Sequence, residues 1–273
     1  MKPHILYFIV LLSIFQSRAY CQDAYAKEGD MLENLFSRLS ADTTDTEKNR
    51  INDSIKMIID RYVRSDSVFS HRFYNVRYLG QITSSDSMLK LIAWNLNLSN
   101  GGGKYFCYFI RKAAGKNFIY HMTAPYNDKP MRTDRTYTAD EWYGALYYDL
   151  KPYVIGGRNC WVLLGLDYGN PLISRKLIDV LSFTPENSLF FGRKCFENGE
   201  DMKFREVFEY SSGATMSLRF TSDTSIVFDH LVPFSDSQKD NHQFYAPDYS
   251  FDAFIFDKGI WKFTLNVDAR NRE

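Results

Sequence analysis

Two periods of apolar residues divide the chain. Between residues 23 and about 66 the apolar positions recur at helical spacing. Ile51, Ile55, Ile58, Ile59, Tyr62 and Val63 fall at intervals of four, three, one, three and one, which puts them on one stripe of a 3.6-residue helix. Thr46 is the expected N-cap of that helix. Met31, Leu32, Leu35 and Leu39 predict a shorter helix before it, with the polar stretch 41–47 as the link. From about Phe73 the period becomes two, and turn residues recur. Strands are predicted at 88–94, 105–110, 118–122, 145–154, 160–166, 177–183, 204–210, 216–220, 226–229, 254–256 and 261–267. Glycine-bearing hairpin loops join several of them, at 99–103, 115–117, 156–159 and 257–259. Residues 125–140 read as a loop carrying proline and charge. Short strands at regular spacing predict a mainly β protein, an antiparallel meander of barrel, sandwich or propeller type, with a short N-terminal helical segment.

The expected divisions are 1–21 as a signal peptide, 22–70 as the helical segment and 71–273 as one antiparallel β domain. The first rests on order: Lys2 and His4, an apolar run from Ile5 to Phe15, small residues at Ser17 and Ala19, then polar residues from Gln22. The apolar run is too short for a bilayer, which needs about 20 residues. Cleavage after Ala19 or after Cys21 suits the small-residue requirement. Lipidation at Cys21 is disfavoured by the bulky Tyr20. The expected location is therefore periplasmic, or at the cell surface or secreted, with no transmembrane segment in the mature chain. An isolated amphipathic helix is marginal in water, so the helical segment is expected to need the β domain as a partner surface.

About 250 residues remain after the signal, enough to bury a core without staples. Three cysteines lie there, Cys107, Cys160 and Cys195. They allow one bridge but no disulfide framework, and no Cys-x-x-Cys is present. Lys plus Arg and Asp plus Glu are both 33, and no basic block exists to track phosphates, so nucleic acid is not an expected partner. Aromatics are abundant: 22 Phe, 19 Tyr and 4 Trp. They suit half-buried pleated surfaces, and sugar-stacking platforms are the sharper alternative.

One internal echo stands out. The segment 183–191 resembles 220–228, 37 residues later, and 83–87 repeats the turn portion more weakly. That separation suits a propeller blade. It equally suits independent hairpin tips converging on Ser, Thr, Asp and Pro, and no full repeat can be traced.

Catalytic signatures are few. Gly101-Gly102-Gly103-Lys104-Tyr105 lacks P-loop spacing, and no Gly-x-Ser-x-Gly elbow occurs. The histidines at 71, 121, 230 and 242 have no metal-binding spacing, so no metal site and no cofactor are expected. The densest polar constellation lies near the C-terminus. Asp229 and His230 are read as ending a strand, with His242 and Tyr245 in the loop that follows and Asp248 and Asp252 next along the chain. A carboxylate beside an imidazole could orient a general base, and clustered aspartates could hold calcium. Against this, aspartates cap turns, and neighbours such as Asp229 and His230 point to opposite faces of a strand. Arg219, Asp229, His230, Asp248 and Asp252 are the ligand-binding candidates, and no catalytic residue is nominated. Glu206 shares an expected face with Phe204, Phe208 and Tyr210, where burial would raise its pKa unless it pairs with a cation such as Arg219 or a bulge turns it outward. No glycosidase pair of carboxylates emerges.

Several motifs carry a resemblance: Leu89-Lys90-Leu91-Ile92-Ala93-Trp94-Asn95, Phe208-Glu209-Tyr210-Ser211, Met216-Ser217-Leu218-Arg219, and Phe228-Asp229-His230-Leu231 with Pro233. To these add Phe244-Tyr245-Ala246-Pro247-Asp248-Tyr249-Ser250-Phe251-Asp252 and Val267-Asp268-Ala269-Arg270-Asn271. From about residue 75 to the end the chain resembles a secreted family frequent in Bacteroidetes-type bacteria, one without an assigned activity. Residues 23–74 carry no matching motif. The resemblance implies a compartment and a shared fold, and transfers no catalytic residue. The leading expectation is a non-enzymatic periplasmic or surface binding module for a glycan, a peptide or another envelope protein. A hydrolase acting on envelope or polysaccharide substrates is the alternative, and a structural partner in an envelope complex is a third.

Overall fold

The structure is a computed structural model that describes residues 25–41 and 43–268. The signal peptide expected at 1–21 lies outside the described residues. The chain divides into two compact units, the first ending at Leu79 and the second being Gly80–Glu273.

The first unit contains helix α1, over 25–39, and α2 (Asp45–Val63). The predicted stripe of α2 is its buried side. The cap is Thr44, not Thr46: its Oγ1 accepts the Glu47 N–H at 3.3 Å. Thr44 and Glu47 have the spacing of a capping box, which satisfies a first-turn donor that Thr46 would leave open. Asp45 and Glu47 also place negative charge at the positive end of the helix. Beyond α2 the Tyr62 hydroxyl donates to the His71 carbonyl at 2.7 Å, and Tyr25 stacks on His71 at 4.4 Å.

The second unit is three stacked sheets, open at their margins and not closed into a barrel. The first sheet is the meander β1 (Gly80–Thr83), β2 (Leu89–Asn97), β3 (Gly103–Ala113) and β4 (Lys116–Pro125). The second runs in the order β5 (Tyr137–Thr138), β9 (Leu189–Phe191), β8 (Ile173–Phe183), β7 (Arg158–Asp167), β6 (Leu146–Ile155), with β12 (Glu206–Ser211) also on β8. The third runs β11 (Asp201–Lys203), β10 (Phe196–Asn198), β16 (Ile260–Thr264), β15 (Tyr245–Asp257), β14 (Ser225–Pro233), β13 (Leu218–Phe220). Every pairing is antiparallel except that of β10 with β16. The mainly β antiparallel expectation therefore holds, in the form of layered sheets.

The second sheet lies in the middle. Trp161 and Leu163 of β7, with Leu177 and Leu181 of β8, pack against Leu91, Cys107 and Phe109 of the first sheet. Val162 and Leu164, with Ile178 and Val180, pack against Ile226, Phe254 and Trp261 of the third. Successive residues point to opposite faces, so a strand buried on both sides is apolar without a break, as Trp161-Val162-Leu163-Leu164 is. Cys107, Cys160 and Cys195 are buried free thiols, so they form no bridge.

Two buried arginines anchor the 126–136 loop to the middle sheet. Arg175 Nη1 lies 3.0 Å from Asp167 Oδ2 and its Nε 2.8 Å from Glu209 Oε1. The same guanidinium donates to the carbonyls of Asn127, at 3.0 Å, and Asp128. Arg205 Nε lies 3.2 Å from Asp179, and Nη1 donates to the Arg132 and Arg135 carbonyls at 2.6 and 2.7 Å. A charge is buried at tolerable cost only when paired and hydrogen-bonded. Here that requirement fixes the loop.

Candidate functional site

The five candidate residues gather at β13, β14 and β15 but divide into two groups. Residues 245–252, which lie outside the strands read from sequence, belong to the long strand β15, which pairs with β14. Phe228 faces Asp252 and Asp229 faces Phe251, and the register shifts between Asp229 and Leu231. His230 sits in that shift, where a bulge re-aims a side chain. Its Nδ1 lies 2.7 Å from Asp252 Oδ2, while Asp252 Oδ1 accepts the Asn266 N–H at 3.1 Å. Asp248 lies within the field of His230. Its carboxyl is held below the usual carboxylate range, chiefly by the Ser250 hydroxyl, which donates at 2.7 Å, and by the Ser250 N–H.

Asp229 and Arg219 do something else. Asp229 Oδ2 accepts the Ser217 N–H at 2.7 Å, and Arg219 Nη1 donates to Ser217 Oγ at 2.8 Å, with its guanidinium 6.0 Å above the Phe251 ring. They fasten the segment entering β13. Neighbouring Asp229 and His230 thus take separate partners.

The His230–Asp252 pair is an oriented imidazole with its other nitrogen unbonded to protein among the described residues. No Ser, Thr or Cys donates to it there, so the pair could activate water but has no side-chain nucleophile. Among the described residues no three His, Cys, Asp or Glu side chains converge as metal ligands.

Glu206 is buried, and its burial pushes the carboxyl pKa up, against the pull of the Lys203 ammonium 3.0 Å away. The cation is therefore Lys203 and not Arg219. The carboxyl shares the second core with Tyr210, as the alternation of β12 implies.

A cleft of about 800 Å³ opens at one end of the second unit, and none of the five candidates lines it. It is built by hairpin tips. The three echoed segments are such tips: Ser84 N–H bonds Leu89 O at 2.8 Å, Thr184 N–H bonds Ser188 O at 2.9 Å and Thr221 N–H bonds Ser225 O at 3.0 Å. They close β1–β2, β8–β9 and β13–β14, which lie in three different sheets. The echo is therefore shared turn chemistry and not a propeller blade.

Asp86 and Met88 come to the cleft from the first tip, Phe183 from the base of the second, and Asp223 and Thr224 from the third. Tyr153, Trp161 and Phe256 supply further aromatic wall, and Arg111, Lys112 and Lys151 supply cations. Arg111 lies 4.4 Å over the Phe183 ring and donates to Asn187 Oδ1 at 2.8 Å. Lys151 bonds Asp223 Oδ1 at 2.7 Å and the Ser222 carbonyl at 3.1 Å. Apolar walls with a few placed polar groups are the usual make-up of a small-ligand site.

Sequence reading missed this cleft, because its walls come from 85–88, 111–114, 151–154, 159–161 and 223–224, and no short motif joins them. The repeated Ser/Thr/Asp tips were the available signal. No family model, curated protein or solved structure matches the chain. Among the described residues no helix is long and apolar enough to cross a membrane.

Proposed function

We propose that the chain is a non-enzymatic binding module that takes an acidic glycan or peptide into the cleft between the hairpin tips. The observation that carries this reading is the cleft's make-up: aromatic walls, with Arg111, Lys112 and Lys151 set against Asp86 and Asp223. One cation is neutralised by Asp223, and Asp86 is engaged by its own turn, accepting from Met88 N–H at 3.0 Å. Arg111, whose partners here are the neutral Asn187 amide oxygen and the Phe183 ring, is set to meet an acid group, with Lys112 beside it on the cleft wall. Export to the periplasm or surface is part of the same proposal. It rests on the basic, apolar, small and polar order of residues 1–22 and on the family resemblance.

The test is a panel of neutral and acidic oligosaccharides and peptides, read by calorimetry. Acidic members are expected to bind, and Arg111→Glu with Lys112→Glu should weaken them about tenfold or more, a change of about 1.4 kcal/mol. Binding that ignores both substitutions, or a panel with no ligand at all, would overturn the proposal. A second reading, hydrolysis of an envelope or polysaccharide substrate, is favoured by the His230–Asp252 pair alone. Turnover abolished by His230→Ala would establish it.

A further inference from the structure

The cleft lies where β2 and β7 begin and β3 ends. At the opposite ends of the same strands is a second, smaller pocket. Leu89, Leu91 and Ala93, alternate residues of β2, are buried against the middle sheet. Asn95 and Asn97 continue that face past the rim of the core. With Tyr126, Tyr168 and the glycines of the β2–β3 turn they line a pocket of about 470 Å³, and no charged side chain lines it.

The polar groups of this pocket are held in fixed directions. The Tyr126 hydroxyl donates its one hydrogen to Asn97 Oδ1, so it accepts from Asn95 Nδ2, 2.7 Å away. Asn95 Nδ2 gives its other hydrogen to Asn97 Oδ1 at 3.0 Å. The Asn95 amide is therefore oriented by both its donors, and among the described residues nothing donates to its Oδ1. Tyr105, buried beneath, sets both aromatic walls. Its ring lies 4.6 Å from that of Tyr126, and its hydroxyl accepts the Tyr168 N–H at 2.6 Å while donating to Asp167 Oδ1 at 2.9 Å. Gly103 leaves room for Tyr126, since a Cβ there would stand 2.5 Å from the ring. Tyr168 is 47% exposed, and among the described residues its ring stacks on no other and its hydroxyl has no hydrogen-bond partner.

We propose that this pocket takes one neutral hexose unit, with the Tyr168 ring against the sugar's apolar C–H face and Asn95 Oδ1 accepting from a sugar hydroxyl. A pyranose has an apolar face and a rim of hydroxyls, which matches a bare aromatic ring beside a fixed amide. An acid or an amine would find no opposite charge on these walls. A wholly apolar ligand would bury Asn95 Oδ1 without a donor, which is unfavourable. The walls are set before the ligand arrives, so little ordering is needed on binding. This inference is independent of what the cleft binds at the far end of the strands.

The test titrates the full chain with the methyl glycosides of glucose, galactose and mannose, read by saturation-transfer NMR. At least one is expected to bind. Tyr168→Ala should weaken it about tenfold or more, and Tyr168→Phe, which keeps the ring, about threefold at most. Arg111→Glu with Lys112→Glu, which disables the cleft, should leave it unchanged. Should circular dichroism show Tyr168→Ala unfolded, wild type carrying isotope-labelled glycine gives a second readout. The sugar is expected to move the amide signals of Gly101 and Gly102, and to leave those of Gly156 and Gly157, in the β6–β7 turn near the cleft, in place. A panel without a binder, a folded Tyr168→Ala variant that binds like wild type, sugar binding lost with the cleft's cations, or shifts confined to Gly156 and Gly157 would each overturn the proposal.

Discussion

Arg205→Met is expected to cost about 3–5 kcal/mol of folding stability at neutral pH, the range for removing one partner of a buried ion pair. Arg205 and Asp179 are both fully buried, at 0% exposure. Methionine fills much of the same space but leaves Asp179 facing the first core with no cation. It also frees the Arg132 and Arg135 carbonyls that Nη1 holds. The loss should depend on pH. Burial already raises the Asp179 carboxyl above its ordinary 3.8, and Arg205 pulls it back down. Without Arg205 the folded-state value climbs further. A raised folded value means that stability is fully present below the unfolded pKa and is lost as pH rises through the folded one. The deficit should therefore be small at acid pH and widen toward neutrality. Urea unfolding at several pH values reads it, and an equal deficit throughout would contradict the assignment. Adding Asp179→Asn should remove the pH dependence while leaving the loop's carbonyls unmatched, so recovery should be partial.

Leu163→Ala and Leu164→Ala should each cost about 2–5 kcal/mol, although the two are adjacent on one strand. Leu163 fills the core shared with the first sheet and Leu164 the core shared with the third, both at 0% exposure. In a two-layer sandwich one of them would face water, where substitutions usually change stability by less than about 0.5 kcal/mol. The midpoints of denaturant unfolding decide between the two architectures. One large loss beside one negligible loss would contradict a middle sheet covered on both sides.

The elements that sequence predicts well are those whose pattern is local. The stripe of α2 and the unbroken apolar runs of β3, β7 and β8 lie within one strand or helix, and can be read directly along the chain. The cap of α2 was misplaced by two residues because Thr44 and Thr46 are both plausible; the Glu three residues after Thr44 distinguishes them. β15 was shortened because Pro247, Asp248 and Ser250 look like turn chemistry. In fact β14 pairs with Tyr245, Ala246 and Pro247 as well as with Phe251 onward. What could not be read was the relation between distant segments. Asp179 interrupts the apolar run from Leu177 to Leu181, and that mark of a buried charge was legible, but its partner Arg205 lies 26 residues on. The same holds for the C-terminal cluster. Sequence proximity grouped Asp229 with His230, whereas the β14 register shift gives His230 to Asp252 and leaves Asp229 to Ser217.

The central functional claim is that ligands enter between the hairpin tips and not at the imidazole. Soaking crystals of the protein in a fragment library rich in small acids and sugars tests it most directly. Bound fragments are expected to concentrate on Arg111, Lys112 and the wall around Phe183. A cleft that stays empty while fragments collect beside His230 and Asp252 would contradict the account.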